Sequence, residues 1–242
     1  MSWRLVDSDA LGPARSAATD EAILLARGGG AVPDTLHLYR RSAPTVSLGY
    51  FQRAAESVDL AAAERLGVAL VRRLSGGSAI YTDPEQLIYT AVVTEDSMPE
   101  APQETFALLC RGVVLGLQEL GLAATFKPVN DVLVGGRKIS GSAQVRRHGV
   151  VLQHGTLLVR TDYRRMFAVL RSSKRSRDEM TSLTEELGTA PPLSEVKRAV
   201  VRGFSAALGA EIVPGRLTDD EKKNVDDLVR TKYGDPAYTF RL

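Results

Sequence analysis

The sequence predicts an α+β fold in which mixed, mainly antiparallel sheets pack against helices. Segments with strand character fall into two groups, with helical segments between them. Connections short enough for hairpins outnumber the longer ones that a βαβ unit needs, which argues against a doubly wound parallel sheet. The length of 242 residues and the apolar fraction of 44% suit one large globular domain, so we expect a single domain over 1–242.

The individual elements follow from apolar spacing and from turn residues. Strands are expected where β-branched and aromatic residues cluster between turn signals, at 5–7 (a short edge strand), 35–39, 45–48, 68–73 and 86–93, with three or four more in 130–156. Helices are expected where apolar residues recur every three or four positions, at 14–27, 59–67, 103–120, 163–170, 193–208 and 219–233.

Composition narrows the classes of partner. The net charge of +2 indicates no nucleic acid partner, and no apolar run approaches the length of a membrane span or signal peptide, so we expect a cytoplasmic protein. The single cysteine, Cys110, lies in a segment with helical spacing and is interpreted as a buried core thiol. The basic run 171–177 is interpreted as a solvated loop, with an acidic partner or a phosphate as the alternative.

A glycine-rich turn follows the strand at 68–73. The run RRLSGGSA, at 72–79, ends a strand with two cations and continues with a backbone that carries little side-chain bulk. Such a backbone can approach a ligand closely and point successive N–H groups at an anion. A tight hairpin without a ligand explains the same residues equally well.

The segment 130–156 contains a lysine, Lys138, close to several glycines. Strict strand alternation would place Lys138, Ser140 and Ser142 on one face, where the lysine could reach a phosphate or a carboxylate from inside a pocket. A solvent-facing lysine on a strand is the alternative.

Two polar groups flank this lysine along the chain. Asn130 and Asp131 could hold Mg²⁺ together with substrate phosphates, or they could simply form a turn. His154 precedes Gly155 in an otherwise apolar strand, and that glycine suggests close approach by a ligand or by another backbone. A lone histidine in a strand is more often structural than catalytic, and we assign no role to His37 or His148.

Taken together, these motifs resemble the lipoate–protein ligase family, within the wider group of biotin and lipoate ligases and octanoyl transferases. The resemblance rests on three ordered runs, RRLSGGSAIYTD (72–83), NDVLVGGRKISGSAQ (130–144) and QHGTLL (153–158). Weaker agreement appears at TDEAIL (19–24) and SLGYFQ (47–52). It covers the large catalytic domain of the family and implies the catalytic-domain fold of the biotin and lipoate ligases.

The resemblance implies an ATP-dependent lipoate–protein ligase. Lipoate and Mg·ATP would give lipoyl-AMP, and the lipoyl group would then pass to a lysine of a carrier protein domain. Lys138 would be the catalytic lysine, and Asp131 would hold the metal. The substrate and ATP site would contain Arg72, Ser75, Gly76, Gly77, Ser78, Ala79, Asn130, Asp131, Gly141, Ser142, Ala143, His154 and Thr156. Val71, Leu74, Ile80 and Val151 would line its apolar part.

The sequence departs from the family pattern at Ser78, Thr82 and Gln86, where a glycine, a histidine and an asparagine are usual. The C-terminal accessory domain of many ligases is expected to be absent, and a small separate protein is expected to replace it. One alternative is an octanoyl or lipoyl transferase that needs no ATP. Those enzymes use a cysteine shortly before the position of Asn130, and 124–129 contains none. Another alternative is a non-catalytic lipoate-binding factor.

Overall fold

The computed structural model describes residues 2–171 and 176–242. Its strands are β1 (Ser2–Leu11), β2 (Thr35–Arg41), β3 (Thr45–Leu48), β4 (Ala69–Arg72), β5 (Ile80–Thr82), β6 (Leu87–Thr94), β7 (Ala124–Lys127), β8 (Asp131–Val134), β9 (Arg137–Arg147), β10 (Val150–Leu157) and β11 (Glu211–Gly215). Its helices are α1 (Pro13–Gly28), α2 (Ala54–Ser57), α3 (Leu60–Arg65), α4 (Pro102–Glu119), α5 (Tyr163–Val169), α6 (Leu183–Leu187), α7 (Leu193–Leu208), α8 (Asp219–Leu228) and α9 (Pro236–Thr239).

The strands form a large and a small sheet. The large sheet has eight strands in the order β11-β1-β2-β6-β10-β9-β8-β7, and the small sheet has three in the order β4-β3-β5. Strand β1 pairs in parallel with β11 and β2, and β3 pairs in parallel with β4, whereas the other pairs are antiparallel. The predicted α+β class with mixed, mainly antiparallel sheets is confirmed.

Two strand predictions are corrected. The segment at 5–7 was expected as a short edge strand, but β1 has 10 residues and lies inside the large sheet. Strand β11, which was not predicted, forms the edge beside it. Four of the five β11 residues are exposed and one is Pro214, so the segment lacks the alternating apolar pattern that predicts a strand.

Different helices cover the two faces of the large sheet. On one face, Val92 of β6 and Leu152 of β10 pack against Ile23 of α1. On the other, the ring of Tyr89 of β6 lies 5.5 Å from that of Phe204 of α7. We call the face that packs against α1 the α1 face. We call the face that contacts α7 the α4 face, because α4 packs along α7. The predicted helices 103–120 and 193–208 are confirmed as α4 and α7.

Strand β9 contains an irregularity at the predicted lysine. Its register with β8 shifts between Val132 and Leu133, so that β9 has one extra residue between Lys138 and Ser140. The strict alternation expected for Lys138, Ser140 and Ser142 is interrupted there.

Two other predictions concern regions outside the sheets. Most of the basic run predicted as a loop at 171–177 lies outside the described residues. Among the residues that are described, no helix has the length and apolar character needed to cross a bilayer.

Candidate active site

A cavity of roughly 720 Å³ lies beside the α1 face of the large sheet. Its wall comes from α1, from the glycine-rich turn that joins β4 to β5, and from β8, β9 and β10. The cavity also reaches Phe106 of α4. Its volume falls in the range of pockets that enclose small ligands.

The structure brings most of the predicted site residues to this cavity. Those that line it are Gly76, Gly77, Ser78, Ala79, Asn130, Asp131, Lys138, Gly141, Ser142, Ala143, His154 and Thr156. Leu74 and Ile80 also line it, as expected, whereas Val71 and Val151 do not. Of the predicted set, Arg72 and Ser75 lie behind the wall.

Arg72 supports the wall from behind and does not reach the cavity. Its fully buried guanidinium donates to the backbone carbonyls of Gly49, Gln52 and Thr239, at 2.9, 2.7 and 2.7 Å respectively. These bonds tie the turn after β3 to helix α9. Burial, followed by the charge of Arg241, lowers the pKa of Arg72 below its ordinary value.

Arg73 occupies the place at the wall that we predicted for Arg72. Its Nη2 donates to the carbonyls of Gly76 and Ser78, at 2.6 and 2.8 Å, and its Nη1 donates to Ser47 at 2.7 Å. Burial lowers the pKa of Arg73 to about 10. The two arginines are consecutive, so the sequence alone could not tell which one faces the turn.

Lys138 forms an ion pair with Asp131 at the cavity wall. The Lys138 Nζ lies 2.6 Å from Asp131 Oδ1, and the lysine side chain is 24% exposed. Asp131 of β8 pairs with Gly141 of β9, and a Cβ at Gly141 would lie 2.5 Å from Nζ. The glycine therefore leaves room for the lysine to reach the carboxylate, and the pair presents a positive group to the cavity.

The donors near Asp131 do not fit a magnesium ion. The Asp131 carboxylate is paired with a cation, and the side-chain nitrogen of Asn130 donates to the Ser142 carbonyl. Magnesium prefers near-octahedral oxygen ligands. Within residues 2–171 and 176–242, no group of three or more His, Cys, Asp or Glu side chains could hold a metal. No step is therefore assigned to a metal at Asp131.

His154 belongs to a hydrogen-bonded network that the sequence did not reveal. Its Nε2 lies 2.6 Å from Ser75 Oγ, and its Nδ1 lies 3.4 Å from Oδ2 of Asp20 in α1. Asp20 Oδ1 also lies 3.0 Å from His37 Nδ1, and Tyr39 donates its hydroxyl to Asp20 Oδ2 at 3.2 Å. Neither Asp20 nor His37 was assigned a role, because 134 residues separate Asp20 from His154 and nothing local links them.

Cys110 is a buried core thiol, as predicted. It is fully buried on α4, where its Sγ lies 3.5 Å from Ser142 Oγ and 3.7 Å from Gln153 Nε2. Burial raises the pKa of Cys110 to about 11. A protonated thiol behind Ser142 is a poor nucleophile.

Gly155 has a different neighbour from the one we expected. A Cβ at this position would collide with the side chain of Tyr89, which is fully buried. The glycine makes room for a tyrosine ring on the α4 face, and the residue also lines the cavity.

Comparison with known proteins identifies the protein family to which the chain belongs. The family described as the lipoyl protein ligase A/B catalytic domain matches residues 12–205. The chain belongs to this family, and the resemblance found in the sequence is confirmed.

Relatives within the family correct the predicted activity. The chain is similar to the octanoyltransferase LipM of Kyrpidia tusciae, at 37% identity over 99% of each chain. It is also similar to the octanoyltransferase LipM of Symbiobacterium thermophilum, at 36% identity over 99% of this chain and 98% of the relative. These relatives contradict the prediction of an ATP-dependent ligase that forms an acyl-adenylate, and they give no support to ATP or Mg²⁺ as cofactors. The ligase was ranked first because 124–129 lacks the cysteine that such transferases use, and these relatives support the transferase that was kept as an alternative.

Solved structures agree on the fold. A putative lipoate protein ligase from T. acidophilum with bound lipoic acid has a TM-score of 0.88 and 31% identity, covering 99% of this chain and 100% of that one. A lipoate-protein ligase A bound with ATP has a TM-score of 0.90 and 31% identity, covering 99% of each chain. A bi-partite lipoate protein ligase, studied with its E2 lipoyl domain from Thermoplasma acidophilum, has a TM-score of 0.88 and 30% identity, covering 99% of this chain and 96% of that one.

Proposed function

We propose that the protein is an octanoyltransferase, which moves an eight-carbon acyl chain from a thioester donor to a lysine of a lipoyl domain. The observation that carries the proposal is the Lys138–Asp131 pair at the wall of a cavity. The similarity to octanoyltransferases over almost the whole chain supports the acyl group and the reaction class.

The cavity suits an acyl chain with a reactive carbonyl at one end. Apolar side chains line part of it, among them Leu74, Ile80, Leu158 and Met166. The charged pair lines the same cavity, so an acyl chain in the apolar part can present its carbonyl to Lys138. Apolar walls with a few well-placed polar groups are typical of small-molecule sites.

Lys138 stabilises the charge that develops on the carbonyl oxygen. When the acceptor amine attacks the thioester, the C–N bond forms and the carbonyl oxygen becomes an oxyanion. A fixed cation in a partly buried site lowers the energy of that state more than it would in water. Asp131 holds the ammonium in place, because the glycine at 141 lets the two side chains meet.

Transfer is direct, without an acyl-cysteine intermediate. The sequence has one cysteine, Cys110, and this thiol is fully buried behind Ser142. The raised pKa of Cys110 keeps it protonated at neutral pH, and only a thiolate is an effective nucleophile. The acceptor lysine therefore attacks the donor thioester, and the thiol of the donor leaves.

The proposed acceptor is a lipoyl domain. A bi-partite ligase with 30% identity to this chain has been studied with its E2 lipoyl domain. Lysine acylation of such a domain requires its lysine side chain to enter the cavity beside Lys138.

The test uses purified protein, an apo E2 lipoyl domain and octanoyl-acyl carrier protein, without ATP and with a chelator. Intact mass spectrometry is expected to show octanoylation of the lipoyl domain. A parallel reaction contains free octanoate or lipoate with Mg·ATP. Modification in that reaction alone would overturn the proposed function, and so would acyl binding without modification in either reaction.

A further inference from the structure

The turn after β3 carries an exposed aromatic side chain. Phe51 is 79% exposed, the largest fraction for any large apolar side chain in the described part of the chain. Its ring meets that of Tyr50 edge to face, with the two centroids 4.9 Å apart. The guanidinium of Arg241 lies 3.9 Å from the Tyr50 ring centroid and 4.9 Å from that of Tyr238. The guanidinium of Arg147 lies 5.2 Å from the Tyr50 ring centroid. We call Tyr50, Phe51, Arg147, Tyr238 and Arg241 the aromatic–arginine patch.

Hydrogen bonds fix the backbone of this turn. The Tyr50 carbonyl accepts from Arg72 at 3.1 Å and from Arg241 at 3.0 Å. The Tyr50 N–H donates to the Ser75 carbonyl at 2.9 Å. Phe51 is therefore exposed on a backbone that is tied down next to it. A preorganised side chain loses little conformational freedom on binding, and aromatic residues and arginine are enriched in protein interfaces.

The aromatic–arginine patch adjoins the cavity. Gly49, directly before Tyr50, packs so closely on the glycine-rich turn that a Cβ at Gly49 would collide with the carbonyl oxygen of Gly77. Gly77 in turn lines the cavity, so the glycine-rich turn contacts the cavity on one side and the turn at 49–52 on the other. A protein interface of ordinary size covers about 800 Å² of each partner, which is wide enough to include both turns.

The charge of the patch is positive. Among residues 2–171 and 176–242, neither Arg147 nor Arg241 forms an ion pair with a carboxylate, and their aromatic contacts are with Tyr50 and Tyr238. A hydrogen bond from Arg241, followed by one from Arg147, lowers the pKa of Tyr50 below its ordinary value. Positive charge that no neighbouring acid balances favours a partner with an acidic surface.

The reach of the two macromolecular substrates decides which of them needs this surface. A lysine side chain extends only about 6 Å from its Cα, so the body of the acceptor has to rest on the residues that surround the cavity. The donor thioester is carried at the end of a longer flexible arm, so the body of its carrier can stay further out. The acceptor is therefore the protein that must cover a surface next to the cavity wall.

We propose that the aromatic–arginine patch docks the acceptor lipoyl domain through an acidic surface beside its target lysine. This proposal rests on the proposed octanoyltransferase function, which supplies the acceptor. Phe51 is the apolar anchor and loses its exposed area to the domain. Arg147 and Arg241 face carboxylates of the domain at the edge of the contact, where they speed association and fix its orientation.

The first experiment measures binding of the full chain to an apo E2 lipoyl domain by isothermal titration calorimetry, without an acyl donor. Phe51→Ala is expected to raise Kd by about 10–30-fold. The control is Val213→Ala, which shortens a side chain that is 38% exposed on β11, at the far edge of the large sheet. Its Kd is expected to equal that of the wild type. Thermal unfolding of both variants checks the fold, and an unchanged Kd in folded Phe51→Ala overturns the proposal.

The second experiment tests the charge of the docking surface. Arg147→Glu is compared with Arg111→Glu, which makes the same change in net charge at an exposed position on α4. At low salt, Arg147→Glu is expected to raise Kd for the lipoyl domain about tenfold more than Arg111→Glu does. The difference should shrink at high salt, because salt screens exposed charges. Equal values of Kd in the two variants would show that the partner surface is not acidic at this place.

The third experiment identifies the occupant by steady-state kinetics of octanoyl transfer. Phe51→Ala is expected to raise KM for the lipoyl domain, with a much smaller effect on kcat and on KM for octanoyl-acyl carrier protein. A rise in KM for the acyl carrier protein alone would place the donor on the patch and overturn the proposal. If the wild-type protein does not transfer octanoate from a thioester, the proposed function fails, while the binding experiments still decide whether the patch docks a lipoyl domain.

Discussion

The two faces of the large sheet carry different chemistry, although they share the same strand. In β10, Gln153 points to the α4 face and contacts the thiol of Cys110, whereas the next residue, His154, points to the α1 face and the cavity. Strand alternation therefore separates a protonated, covered thiol from an accessible imidazole. Two consecutive residues of β10 therefore face opposite sides of the sheet, and only the one on the cavity side can contact a substrate.

Close packing closes the α4 face. Helices α4 and α7 approach each other at Gly112, Gly116 and Gly203, where added side chains would collide with the facing helix. The α1 face instead contains Asp20, which bonds to two imidazoles and a tyrosine hydroxyl. We therefore expect substitutions on the α4 face to lower stability and substitutions on the cavity wall to lower activity.

The largest effect is expected at Lys138. Lys138→Ala removes the cation that stabilises the oxyanion, and kcat for octanoyl transfer should fall by about 10²–10³-fold. Steady-state kinetics with the lipoyl domain measures this, and circular dichroism checks the fold. Asp131→Asn serves as a matched variant and should cost less, because the ammonium remains while its anchor weakens. A fully active Lys138→Ala protein would remove the basis of the proposed site.

A pair of glycine variants compares the two faces directly. Gly155→Ala places a methyl group against the buried ring of Tyr89 on the α4 face, so the free energy of unfolding should fall by about 1–3 kcal/mol. Gly141→Ala meets the flexible end of Lys138 at the cavity, so it should lower kcat with little loss of stability. Urea unfolding and transfer assays on both variants separate these effects. Equal stability losses in the two would contradict the division between the faces.

A smaller effect is expected in acid. The folded pKa of Asp20 lies below its ordinary value of about 3.9, so Asp20 contributes stability above about pH 4 that is lost as the pH falls towards the folded value. Urea unfolding between pH 3 and pH 6 should therefore show a weaker pH dependence in Asp20→Asn than in the wild type. Asp219→Asn is the exposed control: Lys222 lowers the pKa of Asp219 too, but solvent screens that pair, so its effect should be smaller.

The smallest effect on transfer is expected at Cys110. Cys110→Ala removes the single thiol of the sequence, yet the transfer rate should stay at the wild-type level, because the thiol is covered and protonated. A modest loss of stability is expected from the small space that is left. An inactive but folded Cys110→Ala protein would show that the acyl group passes through this thiol after all.

The sequence predicted the parts of the fold that depend on long local patterns. Helices α4 and α7 begin and end within two residues of the predicted limits, because each has several turns of regular apolar spacing. Strand β11 was missed because it is short, mostly exposed and contains Pro214. The irregularity in β9 was missed too, because an extra residue in a strand depends on the pairing with β8 and leaves no local mark.

The same limit applies to the site. The lysine and the glycine-rich turn were found from motifs whose residues are close together in the chain. Asp20 was not found, because its contact with His154 exists only after α1 packs on β10. Arg72 was assigned to the cavity in place of Arg73, because the sequence does not show which of two consecutive arginine side chains at a strand end points towards the cavity.

The hydrogen bonds of Arg72 also bear on the order in which parts of the protein fold. This guanidinium joins the turn at 49–52 to the carbonyl of Thr239, which lies 167 residues after Arg72 in the chain. Contacts between such distant segments form late in folding, because closing a long loop is slow. We therefore expect the turn at 49–52 to stay loose during synthesis until α9 has emerged, which hydrogen exchange at the Tyr50 and Gln52 amides in a chain ending at 234 would show. Protection equal to that of the full chain would refute this order.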